Sequence, residues 1–249
     1  MMVMQTKNVR RRRAALAAAL PGCQPAGRVE LQPSVAALTG KGASRLSHTG
    51  NDAQTITTQL LTGPAIAASL DGIASLRLAI FREYPYLYAG RREDELGYLR
   101  IYAEARGAFV MTVTDSGTLA GAATGIPLCH EDRQLLAAFA GASHAVDEIF
   151  YLGELLFSPA YRNHGLGLRL LAEVEEHVRS LGSYRYLTCA TVVRPASHPL
   201  RPPAYLPIDR FLARTGFAAL AGVTTSFTWL EIDGVKRDHP MQFWLKALR

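Results

Sequence analysis

The feature that most constrains this chain is the run from Ile149 to Leu181, IFYLGELLFSPAYRNHGLG followed by LRLLAEVEEHVRSL. Ile149 to Phe157 is rich in β-branched, aromatic and aliphatic residues and reads as a strand, which Ser158-Pro159 stops. Beyond the turn, Gly167, Leu170, Leu171, Val174, Val178 and Leu181 recur on one helical face, with Arg169, Glu173, Glu176, His177 and Arg179 on the rest. Gly182 supplies the C-terminal stop. The segment is a strand, a tight turn and an amphipathic helix.

The turn Arg162-Asn163-His164-Gly165-Leu166-Gly167 is where chemistry enters. Glycines let a ligand approach the backbone, and the first amide N–H groups of a helix have no helical partner. The helix dipole adds partial positive charge and Arg162 a full one, which makes the turn a seat for a pyrophosphate. The spacing is neither G-x-G-x-x-G nor G-x-x-x-x-G-K-[ST], so the Rossmann and P-loop fingerprints are missing. It fits R/Q-x-x-G-x-G/A after a strand and a proline. In this, LLFSPAYRNHGLG resembles the acetyl-CoA-binding motif of the GNAT superfamily of N-acetyltransferases.

Composition narrows the class. The 249 residues are 49% hydrophobic, ample for a core. No unbroken apolar run reaches the length of a membrane span, and a membrane role is not expected. Cys23, Cys129 and Cys189 are widely spaced and form no C-x-x-C, so neither a disulfide framework nor a metal site is indicated, and a reducing cytoplasm is the expected setting. The net charge of +6 comes from the first 50 residues, which hold eight Lys or Arg and one acid. The rest is near neutral, which removes any compositional case for nucleic acid as a partner.

Residues 1–50 are expected to be a disordered basic leader ahead of a single domain over residues 51–249. Arg10 to Arg13 before AALAAAL has the outline of a signal peptide, but the apolar run is short and Pro21-Gly22-Cys23 suits cleavage poorly. Order is expected from Thr55, with TITTQLL as a first strand. Gly63-Pro64 opens a helix to about Glu83, with Ile66, Leu70, Ile73, Leu76 and Ile80 at three- to four-residue spacing. A loop follows with Tyr84, Tyr86 and Tyr88 around Pro85, then a helix from Glu93 to Glu104. A hairpin turns at Asp115-Ser116-Gly117, and His130 to Ala140 reads as a short helix. After the central unit come a strand from Tyr186 to Val193 and a loop from Arg194 to Pro207 with five prolines. A short helix to Thr215 and two last strands around Asp233-Gly234 complete the chain.

That order, β-α-α-β-β-(α)-β-α-β-α-β-β, is the order of the GNAT fold, and the resemblance covers about residues 55–249. It implies an α/β (α+β) fold: a central mixed, mostly antiparallel sheet of about seven strands flanked by helices, splayed between strands 4 and 5. It implies acetyl-CoA as acyl donor, with its pantetheine arm against the backbone of Leu155, Leu156 and Phe157 and its diphosphate on Arg162, Asn163, His164, Gly165, Leu166 and Gly167. A primary amine of a small molecule would then attack the thioester directly, the oxyanion held by a strand amide.

Glu154 is the candidate base, because it is the only ionisable acid within an otherwise apolar strand and burial would raise its pKa toward the operating pH. The bland reading is a structural carboxylate, and Glu148 is the reserve. Members of the superfamily commonly use a Tyr before a Gly-Phe pair as general acid. In FLARTGF that position is Leu212, so Tyr205 or Tyr151 is the replacement candidate, and the thiolate can also leave unaided. Cys189 reads as core rather than nucleophile. The proline-rich loop follows the fifth strand, on the acceptor side, where His198, Arg201 and Tyr205 would present fixed polar groups and Arg201 would suit a carboxylate or phosphate. The Tyr84 and Tyr86 loop is the second acceptor wall. A protein N-acetyltransferase and a non-catalytic acyl-CoA sensor are the competing readings, and the sequence leaves a homodimer open.

Overall fold

The computed structural model describes residues 55–248, so the basic leader read for residues 1–50 lies outside the described residues. Seven strands form one sheet: β1 (Ile56–Thr62), β2 (Phe109–Asp115), β3 (Thr118–Pro127), β4 (Ile149–Phe157), β5 (Tyr186–Val192), β6 (Ala218–Leu230) and β7 (Lys236–Ala247). Their order is β1-β2-β3-β4-β5-β7-β6, and every neighbouring pair is antiparallel except β4 with β5. That parallel pairing is short. It joins Ile149–Tyr151 to Tyr186–Thr188, and past Tyr151 the two strands part. The mixed, splayed sheet expected from the sequence is the sheet observed.

Five α-helices cover it: α1 (Leu70–Phe81), α2 (Arg92–Glu104), α3 (Arg133–Ala138), α4 (Leu166–Ser180) and α5 (Asp209–Arg214). The helix expected from Gly63 begins as a 3-10 run, Gly63–Ser69, in which the Ser69 hydroxyl donates back to the Ile66 carbonyl at 2.8 Å. Together Gly63–Phe81 is long and apolar enough to cross a membrane by length and composition, a length not apparent as one apolar run. In the fold it lies on the sheet, with Ile66, Ile73, Ala74 and Phe81 wholly buried and Arg77 among them.

The core has two sides. Residues of α1, α2 and α3 pack with Tyr151, Leu156 and Phe243 on one face, and α4 and α5 pack with Phe150, Leu152 and Phe217 on the other. On α4 the predicted stripe buries Leu170, Leu171, Val174 and Val178. The two ends of the stripe differ: Gly167 is only half-buried, and Leu181 falls one residue beyond the helix and is exposed. Glu175 takes a buried place on this helix, where Arg179 donates to it at 2.9 Å and Lys246 neutralises it.

Candidate active site

The turn between β4 and α4 presents a run of open backbone amides. Asn163 (φ 65) and Gly165 (φ 77) both take the left-handed conformation, which Gly adopts at no cost and Asn tolerates better than most residues. The chain thereby doubles back, and among the described residues no acceptor takes the amide N–H of any residue from Asn163 to Gly167. A Cβ at Gly165 would meet nothing within 4 Å, and at Gly167 only the Phe211 ring at 3.9 Å. Five successive amides, His164 and Leu166 included, thus face open space. Arg162 differs from expectation. It is turned toward the sheet, donating to the Phe157 carbonyl at 2.9 Å and pairing with Glu83 at 2.7 Å. Its charge is shared with a carboxylate and with the backbone of β4, so what the turn leaves open is its amides.

Glu154 does not line the cleft and is held as a buried, paired carboxylate. Pairing of β3 with β4 slips by one residue: Thr124 faces Glu154, while Gly125 faces Leu152. Gly153 is therefore a bulge. Simple alternation would set Glu154 on the α4 side with Phe150 and Leu152; the bulge turns it to the α1–α2 side. There it is wholly buried, paired with Arg77 and bonded by the Thr124 hydroxyl. Arg77 is itself buried, pairs also with Glu95, and lies over the Phe81 and Tyr98 rings at 5.0 and 4.5 Å. Burial is the largest single influence and works against its charge, but Glu95, Tyr98 and Tyr102 together outweigh it and hold the guanidinium above its ordinary pKa. The reserve, Glu148, sits at the closed end of β4 with Arg185 at 3.2 Å, away from the splay.

Where β4 and β5 part there is a cleft of about 550 Å³. Leu155, Leu156, Phe157 and Arg162 form its β4 side; Tyr84, Tyr86, Arg201 and Tyr205 line it from the two loops opposite. His198 does not line it but packs on Tyr84 at 5.5 Å, and Tyr84 meets Tyr205 edge-on at 4.7 Å. The two loops thus touch across the mouth. The proline-rich stretch is a chain of turns, with His198 N on Pro195 O, Arg201 N on His198 O and Tyr205 N on Pro202 O at 3.0–3.1 Å.

Two residues, Arg194 and Arg77, escaped the sequence reading. Arg194 donates to the carbonyls of Pro85 and Tyr86 at 2.7 and 2.9 Å and pairs with Glu231 at 2.6 Å, tying the tyrosine loop to the start of the proline-rich loop. Nothing in its spacing marked it. Asp209, at the start of α5, lines the cleft. Arg77 did leave a signal: it stands four residues after Ile73 and seven after Leu70, on the apolar stripe.

Of the candidate acids, Tyr151 is wholly buried away from the cleft, its hydroxyl has no partner, and burial pushes its pKa far up. Tyr205 is in the cleft. Partial burial, then Tyr84 and Asp209 nearby, push it up to about 12, so it keeps its proton. Leu212 is a core residue of the α4 face, and Cys189 is buried with its thiol pKa raised by that burial. Among the described residues no three His, Cys, Asp or Glu side chains gather as a metal site.

A mixed sheet parted between two parallel strands, above an amide-lined turn, is the architecture of an acyltransferase. The chain belongs to the acetyltransferase (GNAT) family, whose model matches residues 73–200. Among solved structures it is similar to yncA of Salmonella typhimurium, determined with its cofactor acetyl-CoA (TM-score 0.51, 15% identity, covering 78% of this chain and 94% of that one). It is similar to an N-acetyltransferase of Staphylococcus aureus Mu50 (TM-score 0.50, 13% identity, 77% and 99% covered). It is also similar to the ribosomal-protein-alanine N-acetyltransferase of Brucella melitensis (TM-score 0.50, 17% identity, 76% and 99% covered). At such identities the likeness is one of fold. No curated protein matches the sequence.

Proposed function

We propose that this chain transfers an acetyl group from acetyl-CoA to the primary amine of a small molecule by direct attack. The observation that carries the reading is the run of five unspent amides, Asn163 to Gly167, opening beside a cleft at the parted strands. Those amides suit a diphosphate, and the unpaired edge of β4 from Leu155 to Phe157 suits an amide-bearing arm laid alongside it. Alternate residues face the open edge, Leu155 and Phe157, while Leu156 faces β3; Arg162 already occupies the Phe157 carbonyl, which leaves the Leu155 backbone and the Phe157 amide as the partners. The contact of Tyr84 with Tyr205 and His198 narrows the mouth and favours a small acceptor over a folded protein.

In the reaction the nitrogen bonds to the thioester carbon, the oxyanion meets a β4 amide and the carbon–sulfur bond breaks. Tyr205 serves as a hydrogen-bond donor rather than an acid. A thiol of pKa about 8.5 holds its proton some three orders of magnitude less tightly than a phenol near 12, so the thiolate leaves and is protonated by water.

The test is a thermal melt with acetyl-CoA beside a thiol-release assay over an amine panel. At a hundredfold excess over Kd the ligand should add about 2.7 kcal/mol, or roughly 5–10 °C for a body of this size. Gly167→Val should fold, since only Phe211 stands within 4 Å, and lose that shift. An unchanged shift in the folded variant refutes the seat. A shift without thiol release from any amine makes the chain a sensor.

A further inference from the structure

The charges of the cleft divide into those already spent and those left over. Glu83 and Arg162 neutralise one another at 2.7 Å. Arg194 is spent on Glu231 and on two backbone carbonyls. What remains is Arg201, half-buried, whose guanidinium lies over the Tyr205 ring at 5.4 Å, and Asp209, exposed at the cleft wall. Among the described residues neither side chain has an ion-pair or hydrogen-bond partner, and the two do not pair with each other. A flat guanidinium stacked on an aromatic ring keeps its donor edge free, and that edge matches a carboxylate or phosphonate in two-point contact. Two unspent opposite charges in one cleft, held apart by the scaffold, fit a ligand that carries both.

Resting on the transferase reading above, we infer that the acceptor is zwitterionic: an amino acid or other amino carboxylate, or its phosphonate counterpart. Arg201 holds the anionic group and Asp209 draws in the ammonium. The ammonium first gives one proton to Asp209 or to water beside it. The free amine then bonds to the thioester carbon, and as the carbon–sulfur bond breaks the adduct's second nitrogen proton passes to water while the thiolate leaves and takes a proton from water. Tyr205, between the loop turns and Arg201, keeps the guanidinium at the wall.

The experiment compares matched pairs in the thiol-release assay, each amino acid against its amide and its decarboxylated amine, with wild-type chain, Arg201→Gln and Asp209→Asn. A charged hydrogen bond to a desolvated anion makes acids better substrates by about 10- to 100-fold in kcat/KM. Arg201→Gln should erase that preference and leave the decarboxylated amines nearly unchanged, while Asp209→Asn lowers both classes. Equal turnover of acid and amide by the wild type overturns the inference, as does an Arg201→Gln loss that falls alike on both, or no turnover of any amino acid. Loss of the acetyl-CoA melting shift in Arg201→Gln overturns it too, assigning Arg201 to the donor while the transferase reading stands. Absence of that shift in the wild type removes both.

Discussion

Replacing Glu154 tests whether this buried carboxylate is structural. Two acidic side chains, Glu95 and Glu154, share one buried guanidinium, a surplus of one acid over its cation. Glu154→Gln removes that surplus and leaves the Arg77–Glu95 pair and the Thr124 hydroxyl with an amide oxygen to bond. The cost is the weakening of one charge-assisted bond, about 1–3 kcal/mol, or roughly 2–12 °C in Tm. Arg77→Leu does the opposite. It strands two buried carboxylates without a cation, which costs about 3–5 kcal/mol, or roughly 6–20 °C.

The assay is a set of melts from pH 4 to 8 beside thiol-release rates over the same range. Glu154→Gln should lower Tm, keep the ascending limb of the pH–rate profile and lose little turnover per folded molecule. A Tm within error of wild type, together with a rate loss on the order of 10²–10⁴ and loss of that limb, would make Glu154 the base after all. It would also break the account of the bulge that turns it away.

Arg194→Met should raise the acceptor KM by about tenfold while the acetyl-CoA shift stays, because it loosens the Tyr84–Tyr88 loop and not the amide seat. An unchanged acceptor KM with a lowered Tm would leave Arg194 a purely structural residue. His239 is buried, stacked on Trp229 at 3.4 Å, and bonds Glu231 at 2.8 Å; burial lowers its pKa. The unfolded chain therefore binds the extra proton, and this contribution is complete above about pH 6.5 and lost as pH falls below it. His239→Gln should flatten that part of the Tm–pH curve, although His130 and His177, lowered by burial as well, keep some slope. An unaltered slope would show that His239 binds its proton equally well in the folded and unfolded chain.

The sequence carried most of the fold because its signals were local. The strand from Ile149 to Phe157, the stripe on α4 and the αL glycine before it each follow from neighbours a few residues apart. The amide seat was legible for the same reason. The acceptor side was only half legible: the aromatic and basic residues of two loops could be nominated, but their meeting at Tyr84 depends on how β5, α1 and α5 come together. The ties made by Arg194 span more than a hundred residues and no spacing rule reaches them.

The side on which Glu154 lies has a single cause, and it can be tested by itself. Period-two reasoning assumes an unbroken pleat, and one bulged residue inverts every side chain beyond it. The bulged residue is Gly153, and a Cβ there would run into the hydroxyl of Tyr102 and stand 2.9 Å from Thr124 Oγ1. Tyr102 is wholly buried and bonded to the Tyr98 hydroxyl at 3.0 Å, so it has little room to retreat. Gly153→Ala is thus an overpacking change next to the Arg77 cluster, costing about 1–3 kcal/mol, or roughly 2–12 °C. Tyr102→Phe removes the clashing oxygen and leaves ring carbon Cζ at 3.2 Å, a contact that a slight shift relieves. The double variant should therefore recover part of the Tm lost by Gly153→Ala, a coupling between two residues that lie far apart in sequence. Additive losses would mean that the alanine is accommodated by backbone movement. The bulge would then be a tolerant feature, and the orientation of Glu154 would not be fixed by the need for glycine at this position.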